Sequence, residues 1–219
     1  MNKVVLNKPI LICFYGFPGS GKSYVARGLQ DSLYLARVGA DRLRHELFRQ
    51  PRYDNQENAV IAHLMNYMSE EFLSAGSGVI YDINAIRSGQ RRNLRDLAKR
   101  HKAAYLLVWI QLDVEGAFNR TQRRDRRTAD DKYSAQQTQA TFNNVVSNMQ
   151  NPKDEEYLVI SGKHSFATQK NAIINRLYQM GLIGSSAVLD NIAKPGLVNL
   201  VPKLYAGRVD MSRRNISIS

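Results

Sequence analysis

Cysteine is almost absent from this 219-residue chain, with Cys13 its single example, so no intramolecular disulfide can form and no oxidising compartment is called for. Cys13 is expected to pack in the core. Long apolar runs are missing too, since none approaches the ~20 residues that cross a bilayer. The run from Ile10 to Phe17, behind Lys3 and Lys8, has the outline of a secretory segment but is short and leads directly into a glycine-rich loop, so it reads as a strand. A cytoplasmic location is the resulting expectation. Histidine is sparse, and His45, His63, His101 and His164 are too scattered for metal-ligand spacing. Acidic side chains are outnumbered, 19 Asp and Glu against 31 Lys and Arg, and the resulting net charge of +12 favours polyanionic partners such as nucleic acid without requiring one.

What is present is ordinary globular material. The 43% hydrophobic and 23% charged content excludes wholesale disorder and a fibrous fold, and the length suits one α/β domain with a modest appendage. β-rich runs at residues 10–15, near Val38, and at 79–82, 104–112 and 157–160 alternate with helical patterns. That alternation predicts an α/β fold: a five-stranded parallel sheet with helices on both faces. Residues 22–34 repeat apolar side chains at Val25, Leu29 and Leu33, and residues 57–73 at Val60, Leu64, Met68 and Phe72, so both are expected to be amphipathic helices. Ser88 and Thr168 are the expected caps of two more helices, the second stopping near Gly181. Beyond Gly184, Pro195, Gly196, Pro202 and Gly207 interrupt any helical period, which divides the chain into a domain at 1–184 and a basic tail at 185–219.

The most specific signal is Gly16-Phe17-Pro18-Gly19-Ser20-Gly21-Lys22-Ser23, which fills the pattern G-x-x-x-x-G-K-[ST] between an apolar strand and an amphipathic helix. Glycines there open backbone conformations that turn successive N–H groups toward phosphates, and the following helix adds its positive end. The segment from Gly16 through Pro18, Gly19, Ser20 and Gly21 is therefore expected to cradle ATP. Lys22 is expected to reach the β- and γ-phosphates and Ser23 to offer its hydroxyl to Mg²⁺.

A phosphate loop does not say where the γ-phosphoryl goes. Asp41 and Arg44 stand three apart at a helix start, so they share a face: the carboxylate can deprotonate an acceptor hydroxyl, and the guanidinium can hold an anionic group on that acceptor. Asp82 ends the third strand at the carboxyl edge of the sheet, where it can position Mg²⁺ through water or orient an arginine. Residues 119–127 carry Arg120, Arg123, Arg124, Arg126 and Arg127 against one carboxylate, the composition of a lid that closes cations over a transferring phosphoryl. Ser161, Gly162, Lys163 and His164 follow the last strand and can pass beside an adenine ring.

These residues resemble the P-loop kinases typified by 5′-hydroxyl polynucleotide kinases, within a wider AAA-type ATP-binding group that includes zeta-toxin-like and chloramphenicol-phosphotransferase-like enzymes. The likeness covers roughly residues 9–180. It implies a nucleotide-kinase-like P-loop fold with an arginine-rich lid, ATP and Mg²⁺ as cofactors, Asp41 as general base and Arg44 on an acceptor phosphate. The family's strand-end Asp-x-Asn and paired arginines correspond to Asp82-Ile83-Asn84 and Arg91-Arg92. By the same resemblance Arg124 touches the transferring phosphoryl, and Arg120 accompanies the nucleotide. Ile83 and Asp125 depart from the threonine and glycine often found at those places. The expected activity is γ-phosphoryl transfer to a hydroxyl, with the 5′-OH of a nucleic acid or nucleotide leading, a small-molecule kinase second, and a P-loop ATPase or switch as the alternative from another class.

Overall fold

Six consecutive apolar residues, Ile10–Tyr15, form strand β1 with every side chain buried, the pattern of a central strand covered on both faces. The computed structural model describes residues 3–124, 133 and 137–184. The expected tail at 185–219, and Arg126 and Arg127 of the arginine cluster, lie outside them. In chain order the elements are β1, α1 (Lys22–Ser32), β2 (Leu35–Gly39), α2 (Ala40–Leu47), α3 (Asn55–Ser74), β3 (Gly78–Asn84), α4 (Ser88–Arg100), β4 (Ala104–Gln111), α5 (Val114–Gln122), α6 (Gln139–Ser147), β5 (Tyr157–Ser161) and α7 (Phe166–Gln179).

All five strands are parallel, in the order β2-β3-β1-β4-β5. The expected five-stranded α/β sheet is therefore the observed one, and its helices lie on both faces. On one face Val25 and Leu29 of α1 and Ile173 and Leu177 of α7 pack against Ile10, Ile12 and Phe14. On the other, Ile61 and Met65 of α3 and Leu94 and Leu97 of α4 cover Leu11, Cys13 and Tyr15. Burial pushes the Cys13 thiol up to about 12, so it packs as an inert apolar group.

Three local expectations need correction. Helix α3 does not bury the Val60, Leu64, Met68 and Phe72 stripe: the inward series is Ile61, Met65, Ser69 and Leu73, while Val60 is 52% exposed. The rotation is a step of one residue. It is stabilised by polar groups on the inward face: Ser69 donates to Met65 O at 2.7 Å and buried Glu57 pairs with Arg44. Ser88 is the first residue of α4 rather than its cap, and its N–H and hydroxyl both bond Gln150 Oε1. The cap of α7 is Ser165, not Thr168, whose N–H it receives.

One irregularity of the sheet positions the site. Cys13 pairs with Tyr81 but the next residue, Phe14, pairs with Asn84, so the ladder between β1 and β3 skips Asp82 and Ile83. A bulge of this kind re-aims side chains at a strand end. It brings Asp82 to the carboxyl edge beside the loop that follows β1.

Candidate active site

The loop between β1 and α1 takes its shape from three glycines with positive φ, Gly16 at 151°, Gly19 at 82° and Gly21 at 101°. At Gly19 the requirement is doubled, since a Cβ there would stand 2.1 Å from Ala117 O of α5. Ser20 N–H closes the turn on Phe17 O at 3.0 Å. Lys22, the first residue of α1, folds its ammonium back over this turn and donates to Gly16 O at 2.9 Å and Phe17 O at 2.7 Å. Burial among these carbonyls lowers its pKa to about 7, against the pull of Asp82, which favours the charged form.

Beside it, Ser23 donates its hydroxyl to Asp82 Oδ1 at 3.0 Å. The other carboxylate oxygen of Asp82 takes the Nε and Nη2 of Arg37, at 2.9 and 2.5 Å. Arg37 was not singled out in the sequence, although an arginine inside the short, half-buried strand Leu-Ala-Arg-Val-Gly is a signal: a charge in such a place gains from a partner. The pair formed by the Ser23 hydroxyl and the Asp82 carboxylate is a hard-oxygen donor set beside a phosphate loop, which fits Mg²⁺. Among the described residues there is no cluster of three or more His, Cys, Asp or Glu side chains to hold a metal ion without the help of phosphate oxygens.

Asp41 occupies the first turn of α2 and lines the same cleft, of about 730 Å³, as Lys22, Ser23, Asp82, Arg120 and Arg124. Asp41 as a whole residue is exposed, but loss of hydration against the cleft walls, and then the charge of Asp82, raise its pKa above the ordinary carboxylate range. The charge of Arg124 opposes that shift and also acts on Lys22, so this arginine stands electrically within reach of both. Arg120, on α5, donates to Gly162 O at 2.9 Å, tying that helix to the loop after β5. That loop presents Gly162, Lys163 and His164 to the cleft, where Tyr24 and Gln169 also face it.

One expected site residue is elsewhere. Arg44 is buried, 5% exposed, and its guanidinium is engaged by Glu57, by Asn58 Oδ1 at 2.8 Å and by the ring of Tyr53 at 4.5 Å. It does not line the cleft; Tyr53 does. The spacing Asp-x-x-Arg correctly places both residues on one helix, but Glu57 lies thirteen positions downstream on another element, and nothing local foretells the pairing. Arg91 is likewise internal, held by Glu155 at 2.7 Å and donating to Ala85 O at 2.9 Å, so it braces α4 rather than the cleft.

No functionally curated protein matches the chain. Among solved structures, a gluconokinase from Sinorhizobium meliloti superposes with a TM-score of 0.57 at 15% identity, covering 78% of this chain and 93% of that one. The Mycobacterium tuberculosis APS kinase CysC, in complex with AMPPNP and APS, gives 0.58 at 18% identity over 78% and 98%. The Pnkp1/Rnl/Hen1 RNA repair complex gives 0.55 at 20% identity over 64% of this chain and 44% of that one. At these identities the likeness is one of fold, and the fold is that of the P-loop kinases. The family described as the AAA domain matches residues 11–152, which span the loop of Gly16 to Ser23, Asp41, Asp82 and α5, and the chain therefore belongs to that family.

Proposed function

We propose that the chain is an ATP-dependent phosphotransferase that moves the γ-phosphoryl of Mg-ATP to a hydroxyl acceptor. The observation that carries this reading is the placement of Asp41, a carboxylate with a raised pKa, in one cleft with Lys22 and the Ser23–Asp82 pair. A nucleotide-binding switch needs the loop but not a base aimed into it. In this mechanism Asp41 takes the proton of the acceptor hydroxyl as its oxygen forms a bond to the γ-phosphorus. The bond between that phosphorus and the bridging oxygen breaks, and ADP leaves. Lys22 swings from the Gly16 and Phe17 carbonyls to the phosphates, and Arg124 answers the charge that develops on the transferring group. Arg120 and the turn at Gly162 hold the nucleotide. The Ser23 hydroxyl and Asp82 would hold Mg²⁺, which supplies charge neutralisation on the β- and γ-phosphates. Residues 1–184 are the catalytic domain in this reading, with 185–219 as a basic appendage, and the cytoplasm is the compartment.

A nucleic-acid 5′-end leads as expected acceptor on the net charge of +12 and on the resemblance to polynucleotide kinases, which places Arg44 on its phosphate. Arg44 faces inward, which removes that support and favours a small acceptor; the net charge of +12 is what still speaks for a polynucleotide. The decisive experiment is transfer of labelled γ-phosphate to oligonucleotides, nucleosides, sugars and simple alcohols, with Lys22→Ala as control. Label on any hydroxyl compound supports the kinase. Free phosphate alone, at a rate indifferent to every acceptor, would overturn it in favour of an ATPase or switch.

A further inference from the structure

An arginine that meets a carboxylate commonly lays its planar fork along both oxygens, one N–H to each. Arg37 does not. Its Nε and Nη2 converge on one atom, Asp82 Oδ2, at 2.9 and 2.5 Å, and Oδ1 is left to the Ser23 hydroxyl at 3.0 Å. The sheet imposes this asymmetry. Side chains two apart on a strand share a face, so Arg37 lies on the face of Leu35 and Asp82 on that of Ile80, and Leu35 and Ile80 pack together with Val25 and Leu29 of α1. The register sets Arg37 beside Ile80 and Gly39 beside Asp82, so the guanidinium reaches the carboxylate from one side, along β2. Gly39 keeps that approach open, since a Cβ there would already stand 3.7 Å from Asp82 Oδ2.

Asp82 is thereby reduced to a one-oxygen donor toward the cleft. Its side chain is 5% exposed and that of Arg37 22%, so water competes little for Oδ2. The two common hard cations respond differently to such a donor. Mg²⁺ demands near-ideal octahedral geometry at short distances and keeps several waters, so a single carboxylate oxygen suits it; Ca²⁺ gathers roughly six to eight oxygens at longer distances and accepts carboxylates that give both.

We infer that Arg37 is the residue that sets metal specificity: by closing Oδ2 it denies Asp82 a two-oxygen grip on Ca²⁺ and leaves the site to Mg²⁺. The inference rests on the phosphotransfer reading for the place of the metal, at the Ser23–Asp82 pair beside the phosphates. Arg37 does not line the cleft and acts through Asp82, as a positioning residue. An anchor of purely structural value would steady the carboxylate without discriminating between ions.

The test is a calorimetric titration of the full chain with AMPPNP, which binds without transferring its phosphoryl, at equal free concentrations of Mg²⁺ and of Ca²⁺ and again in EDTA. The parent should bind AMPPNP more tightly with Mg²⁺ than with Ca²⁺. Arg37→Gln uncovers Oδ2, and the ratio of the two Kd values should move about tenfold in favour of Ca²⁺. Both ions are divalent, so the lost guanidinium charge acts on them alike and cancels in that ratio. Arg37→Lys keeps the charge but brings a point donor in place of the fork, so its ratio should fall between those of the parent and Arg37→Gln. It also keeps the ion pair, which makes it the variant to read if a melting curve shows Arg37→Gln unfolded. A parent without preference for Mg²⁺, or a ratio unmoved by the substitutions, overturns the inference and leaves the phosphotransfer reading standing. AMPPNP binding equal in Mg²⁺, Ca²⁺ and EDTA overturns the metal site and the inference together, and transfer itself is decided separately by the labelled acceptors.

Discussion

The Ser23 hydroxyl stands 3.0 Å from Asp82 Oδ1, while the second oxygen of the same carboxylate is clasped by Arg37. One oxygen of Asp82 therefore serves the helix after the phosphate loop, and the other anchors the carboxylate to the edge strand β2. Asp82→Asn should remove the anchor and leave Arg37 without its partner. A loss of about 2–3 kcal/mol in unfolding free energy is expected, below the full cost of breaking a sealed pair because Arg37 keeps some access to water. Urea denaturation measures it. The Mg²⁺ concentration for half-maximal turnover should also rise, on the order of tenfold.

Lys22 makes the stability of the nucleotide-free protein sensitive to pH. Its pKa is 10.5 when unfolded and about 7 when tucked against the loop carbonyls, so between those values the unfolded chain binds more protons. Stability contributed by this residue therefore increases as pH rises from about 7 toward 10.5, and Lys22→Met should raise the melting temperature of the nucleotide-free protein near and below pH 7. Phosphates reverse the balance by favouring the ammonium. At pH 8, ATP binding should take up a proton, visible in calorimetry as a dependence of binding enthalpy on the buffer's ionisation enthalpy. Lys22→Met should abolish that dependence along with transfer.

Asp41→Asn keeps the shape of the first turn of α2 and removes the proposed base. Transfer should fall by roughly 10²–10⁴-fold while ATP affinity, read by titration calorimetry, stays near the parent value. In the parent, kcat should decline on the acid side through a pKa above the ordinary carboxylate range, since the raised pKa of Asp41 keeps it protonated to higher pH. Near-normal transfer by the asparagine variant would remove Asp41 from the chemistry.

Gly19 and Gly21 share a positive φ but not a neighbourhood. A Cβ at Gly21 meets nothing within 4 Å, whereas at Gly19 it would collide with Ala117 O at 2.1 Å. Gly21→Ala should cost only the conformational strain, about 1–2 kcal/mol. Gly19→Ala must also displace α5, so both stability and ATP affinity should suffer more. Equal melting temperatures for the two variants would show that the contact with α5 yields freely.

The legible parts of this molecule were those with short-range grammar. A strand of six apolar residues, a glycine-spaced loop and the helix after it are determined by neighbours in the chain, and β1, the phosphate loop and α1 lie where the pattern puts them. The face of α3 was harder because two adjacent series are both apolar enough. The choice between them depends on Glu57 and Ser69, whose partners are Arg44 on α2 and a carbonyl one turn back. Arg44 itself illustrates the limit: its position on the helix follows from spacing, but its direction follows from a carboxylate on another element. Tyr53 gave no signal at all in sequence, since a left-handed tyrosine looks like any other tyrosine until its backbone is seen.

The close packing of Gly19 on Ala117 bears on how the two arginines after it divide their labour. Helix α5 is splinted to the phosphate loop at its start and pinned through Arg120 to Gly162, and it ends at Gln122. Arg120 thus rides on the part of α5 fixed to the phosphate loop and to Gly162, and Arg124 lies past the end of the helix. In the phosphotransferase reading proposed above, the nucleotide contact of Arg120 and the phosphoryl contact of Arg124 therefore fall on opposite sides of that helix end and should be tunable separately by mutation.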